Sequence, residues 1–84
     1  MNQADFAKKA FEITKIAHQY KWAYHSSDPN VGRISFADDL LIFRVDIYTT
    51  KMTVCFLKKG ERPVYMKHQN YDMISKIFKN PYII

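Results

Sequence analysis

Eighty-four residues, a net charge of +5 and one cysteine predict one domain without an internal disulfide. Only two Gly and three Pro accompany six Tyr, six Phe and one Trp, a composition that excludes a disordered chain and gives a small domain large rings for its core. No run approaches the roughly 18 apolar residues of a membrane span. The start, MNQADFAKKAF, lacks the apolar stretch of a signal peptide, so an intracellular protein, cytoplasmic or nuclear, is expected.

Taken in chain order, residues 3–25 predict a helix. Phe6, Ala10, Ile13, Ala17, Tyr20 and Tyr24 recur at helical spacing, with Asp5, Lys8, Glu12, Lys15 and Gln19 opposite. Asn2 or Asp5 suits its cap, and the turn formers of residues 26–30 (SSDPN) end it. A short strand is predicted over residues 33–36, followed by a tight connection at Ala37-Asp38-Asp39.

Residues 40–48 and 52–57 are crowded with β-branched and aromatic side chains and predict two longer strands around Thr49-Thr50-Lys51. In the first, Leu41, Phe43, Val45 and Ile47 share one face and Ile42, Arg44, Asp46 and Tyr48 the other. Charge confined to the second face assigns the core to the first. In the next strand neither Met52, Val54 and Phe56 nor Thr53, Cys55 and Leu57 form a polar set, and periodicity does not choose between them.

The segment KKGER (residues 58–62) is a turn, and Pro63 suits the start of an edge strand over residues 63–67. Asn70 then caps a helix whose apolar face is Tyr71, Ile74, Ile77 and Phe78, stopped by Asn80-Pro81. The expected fold is α+β: a long N-terminal helix, an antiparallel meander of three or four strands and a short C-terminal helix, in the order α-β-β-β-β-α.

From Arg44 to Pro81 the chain resembles a family of small α+β domains seen in protists, algae and large DNA viruses. The residues that carry the resemblance are Arg44-Val45-Asp46-Ile47-Tyr48-Thr49-Thr50-Lys51-Met52-Thr53-Val54, the turn Lys59-Gly60, Tyr65-Met66-Lys67 and the final ISKIFKNP. Family members often continue past Asn-Pro with a His-Thr-Gly-Lys-Gly-Tyr type of tail, where this chain reads Tyr82-Ile83-Ile84. The resemblance implies a fold and no particular activity. The order of elements is also similar to that of double-stranded RNA-binding domains. The basic helix start those domains use is replaced here by Asn70-Tyr71-Asp72.

No catalytic constellation emerges. His18, His25 and His68 are scattered, without metal-ligand spacing. Cys55 lies within a strand pattern and reads as a small buried thiol. Gly32 and Gly60 build no phosphate loop, and Asp38-Asp39 read as a turn. A non-enzymatic protein with no metal or cofactor is expected.

What remains is a set of cations interleaved with rings and hydroxyls: Arg33, Arg44, Tyr48, Thr50, Lys51, Lys58, Lys59, Arg62, Tyr65 and Lys67. Sheet faces that bind nucleic-acid strands stack bases on exposed rings and hold phosphates with Lys and Arg. A small basic nucleic-acid-binding module is therefore the leading expectation. The alternative is a protein–protein module or homodimer in which Tyr48 and Tyr65 pack under a partner that covers Ile42, Cys55, Leu57 and Trp22.

Overall fold

Five antiparallel strands cross one sheet in chain order, β1 (Ala23–Asp28), β2 (Arg33–Ala37), β3 (Phe43–Tyr48), β4 (Thr53–Lys58) and β5 (Val64–Met66). Helix α1 (Gln3–Gln19) precedes them; α2 (Tyr71–Lys79) and a 3-10 turn (Pro81–Ile83) follow. The computed structural model describes residues 3–83, so the predicted Asn2 cap lies outside the described residues. Asp5 is already inside the first turn of α1, where it pairs with Lys9 at 3.6 Å.

The fold is α+β as expected, with one strand more. Residues 23–28, read from the sequence as helix end and turn, form β1 instead. The cause is an early stop to α1. Trp22 N–H donates to Ala17 O at 3.0 Å and Lys21 N–H to His18 O at 3.1 Å. Lys21 holds φ at 66°. These two bonds and the left-handed residue make a Schellman end, which closes the helix and turns the chain into the sheet. Trp22 becomes a buried core residue, so it contributes nothing to an outer surface.

Both helices lie on one face. Ile13 and Ala17 of α1 and Ile74, Ile77 and Phe78 of α2 pack with Ile34, Phe36, Val45, Ile47, Val54 and Phe56 in one apolar cluster. Strand alternation brings these residues to that face, as read for β3 except at Leu41, which precedes the strand and is exposed instead of joining the core, and for β4 it selects Val54 and Phe56. Helix α2 starts where Asn70 Oδ1 accepts the Met73 N–H at 2.8 Å, and Pro63 precedes edge strand β5. Trp22 Nε1 donates to Phe78 O at 2.9 Å, joining the head of β1 to the tail of α2.

Strand β3 begins at Phe43 rather than at residue 40. Asp38 explains the delay: its Oδ1 accepts the Phe43 N–H at 3.0 Å, while its backbone O accepts from Leu41 at 3.2 Å. Leu41 closes this turn at φ 56°, a conformation that costs a leucine roughly 1–2 kcal/mol. Leu40 and Leu41 consequently stand 70% and 72% exposed.

Candidate functional site

The sheet face away from the helices carries three cross-strand rows fixed by the register. One is Asp28–Arg33–Tyr48–Thr53, the next Ser26–Ser35–Asp46–Cys55–Tyr65, and the third Ala23–Ala37–Arg44–Leu57. No helix among the described residues covers this face. Its small central residues are nonetheless buried, because longer neighbours roof them. Arg33 Nη1 donates to Ser35 Oγ at 3.1 Å. Arg44 grips Asp46 from the side, Nε to Oδ1 at 3.1 Å and Nη2 to Oδ2 at 3.3 Å. Asp46 is 5% exposed, so this carboxylate neutralises much of the Arg44 charge, as a buried acid next to a guanidinium must.

The nine cations and rings expected to bind nucleic acid divide into three groups. Arg33, Arg44, Tyr48 and Tyr65 do share the open face. Tyr65, on the edge strand, is 65% exposed, while Tyr48 is half-buried. Lys51 and Lys67 meet at one end of the face, where they line a hollow of about 690 Å³ with Thr50, Thr53, His68 and Gln69. Lys59 stands at the other end, where it lines a hollow with Arg44 and Leu57.

Arg62 faces elsewhere, and Lys58 borders both the Lys59 hollow and the helix side. Lys58 pairs in register with Phe43, on the helix side. Its amine sits 5.9 Å from the centre of that ring and 3.1 Å from Glu61. Arg62 lies on the helix side too, in a smaller hollow with Phe56, Val64, Pro81 and Tyr82. Alternation carries Lys58 to the side of Val54 and Phe56, whereas Arg62 is placed by the turn that Gly60 closes at φ 83°.

Two contributors were not among the residues expected on this face. Ser35 anchors Arg33 from a fully buried position. His25 is the extra residue of a bulge between Tyr24 and Ser26, a device that re-aims a side chain at a sheet edge. It joins the hollow beside Arg44. Nothing in a polar stretch such as Ala23-Tyr24-His25-Ser26 marks a bulge in advance. The turns at the far end are tied together, since Thr49 donates to Gly32 O through both its N–H and its Oγ1, each at 2.8 Å.

Cys55 and Tyr65 are hydrogen-bonded neighbours in the central row. Burial raises the Cys55 thiol above its usual 9.0; the Tyr65 bond opposes this, Asp46 adds to it and Arg44 opposes it. The Tyr65 hydroxyl is raised as well, first through its bond to Cys55. A thiol raised in the folded state stabilises the fold fully below its unfolded value, and that stability is lost as pH rises through the folded value. The urea midpoint should therefore fall as pH increases above 9.0, and Cys55→Ala should flatten the decline. An unchanged pH slope in that variant would show that the thiol is not its source.

Among the described residues no three His, Cys, Asp or Glu side chains converge as metal ligands, and no helix is long and apolar enough to cross a membrane. Compared with family models, with curated proteins and with solved structures, the chain matches none.

Proposed function

We propose that the protein is a non-enzymatic module that binds single-stranded nucleic acid across the open face of its sheet. The observation that carries this reading is the arrangement of that face. Tyr48 and Tyr65 stand among Arg33 and Arg44, with Lys51 and Lys67 at one end and Lys59 at the other. Base stacking on a ring is tolerant of sequence, and the cations supply phosphate contacts that any strand satisfies.

The neutralised Arg44 shapes the expectation. Its role is to orient and stack rather than to carry a full phosphate charge, which leaves Arg33, Lys51, Lys59 and Lys67 as the phosphate contacts. Three or four neutralised phosphates on a single strand give a log–log salt slope of about −2 to −3. Fluorescence anisotropy with a labelled oligonucleotide, titrated from low to physiological salt, measures that slope. A slope near zero, or no binding at low salt, would remove the proposal. Reversing Lys51, Lys59 and Lys67 together should weaken binding far more than reversing Lys58, which is paired with Glu61, and Arg62, which lies on the helix side.

A second reading is favoured by one specific feature. Leu40 and Leu41 project from the β2–β3 turn, largely exposed, and exposed apolar side chains side by side are a common mark of a protein partner or self-association. Light scattering at micromolar concentration tests it: a dimer that Leu40→Asp dissolves supports it, and a monomer refutes self-association.

A further inference from the structure

The hollow at the Lys59 end of the open face has a composition that nucleic-acid binding does not require. It is an open depression of about 390 Å³, within the range of roughly 300–1,000 Å³ typical of small-molecule sites. Ala37, Ile42 and Leu57 supply apolar lining and Leu41 stands beside them. Arg44 and Lys59 line the same hollow, as do Lys58 and Glu61, which pair with each other at 3.1 Å and so cancel. Lys59 makes no ion pair among the described residues. Arg44 commits Nε and one terminal nitrogen to Asp46 and keeps the other terminal nitrogen for a further acceptor.

From this pairing of an apolar pocket with one unpaired cation, Lys59, and one uncommitted guanidinium nitrogen of Arg44 we infer that the hollow binds a small amphipathic anion, an apolar body bearing one carboxylate. The body lies against Leu41, Ile42 and Leu57. The carboxylate meets Lys59 and the free edge of the Arg44 guanidinium, where charge-assisted hydrogen bonds are strongest. Leu41 is the residue that most needs such a role. It holds φ at 56°, a conformation that glycine or asparagine enters more easily, and its side chain is hardly used by the core. Strain maintained at the wall of a pocket is a mark of function. The inference stands independently of the nucleic-acid reading, although both use Arg44 and Lys59, so a bound anion should compete with an oligonucleotide.

The test uses the full chain and octanoate as the probe, with octylamine as the charge-reversed comparison. Binding is followed by two-dimensional NMR, with light scattering recording mass. Octanoate should move the Leu41, Leu57 and Lys59 signals saturably, at constant monomer mass, while octylamine leaves them in place. Leu41→Asn should fold at least as stably as the parent yet bind octanoate about tenfold more weakly, because a leucine-sized contact is lost. Lys59→Glu should weaken binding similarly. Equal binding of octylamine, shifts centred elsewhere, or undiminished affinity in Leu41→Asn would each overturn the inference. So would a change of mass on addition of octanoate, which would assign the hollow to an interface between copies. Octanoate binding without oligonucleotide binding would leave this site standing and remove the proposed function alone.

Discussion

Trp22→Ala should be the most damaging single substitution, lowering stability by about 3–5 kcal/mol. The indole is 5% exposed and meets Phe78 edge-on at 5.2 Å and Phe43 at 6.4 Å between ring centres. Its N–H also satisfies Phe78 O near the end of α2, so truncation leaves both a cavity and a carbonyl without that donor. A domain of this length holds about 4–13 kcal/mol in total, and a loss of this size consumes much of it. Urea denaturation followed by circular dichroism measures the change. Trp22→Phe should cost about 1–2 kcal/mol, since most of the ring area stays and the hydrogen bond goes. A loss below about 1 kcal/mol in Trp22→Ala would mean that the indole does not join the two ends of the fold as described.

The largest effect on binding is expected from Tyr48→Ala with Tyr65→Ala. Each stacked base is worth about 1–3 kcal/mol by alanine substitution. Additive losses would weaken an oligonucleotide by a factor of roughly 30 to more than 10,000. Tyr65 is the cleaner of the two, because its exposure makes its removal nearly neutral for folding. Tyr48 lies in register between Arg33 and Thr53, and its loss should also loosen that row. A Tyr→Phe pair separates stacking from hydroxyl chemistry and should retain most of the affinity. The salt slope should be nearly unchanged in the alanine pair, because the phosphate contacts remain. Undiminished affinity in the alanine pair would show that the rings play no part.

Much of the sheet and its helix cover was legible in the sequence, and the misses have local causes. Strands β3 and β4, the Asn70 cap and the edge position after Pro63 follow from side-chain chemistry that acts within a few residues. Strand β1 was invisible for two reasons. The apolar stripe of α1 continues through Tyr20 to Tyr24 at helical spacing, and Lys21 takes the left-handed position where glycine would have announced the helix end. Leu41 and Met52 hide their turns in the same way, each holding a positive φ without a glycine. The tertiary fold overrides these local preferences because it buries Trp22 and Phe43 in exchange.

The open face was only partly legible. Alternation placed Arg44, Asp46 and Tyr48 together, but not the depth at which Asp46 sits, which converts Arg44 from a free cation into half of an ion pair. Alternation along β4 carries Lys58 toward the helix side, and turn geometry, which no single segment encodes, separates Arg62 from the rest. The effective basic set is therefore smaller than the one visible in the sequence, and it sits at the two ends of the face.

Mapping an unlabelled oligonucleotide onto the protein by NMR tests the central claim most directly. Signals of Arg33, Ser35, Tyr48, Cys55 and Tyr65 should shift together and saturate, with α1 and α2 unmoved. Shifts centred on the helices or on the Lys58–Arg62 side, or none at low salt, would contradict the account.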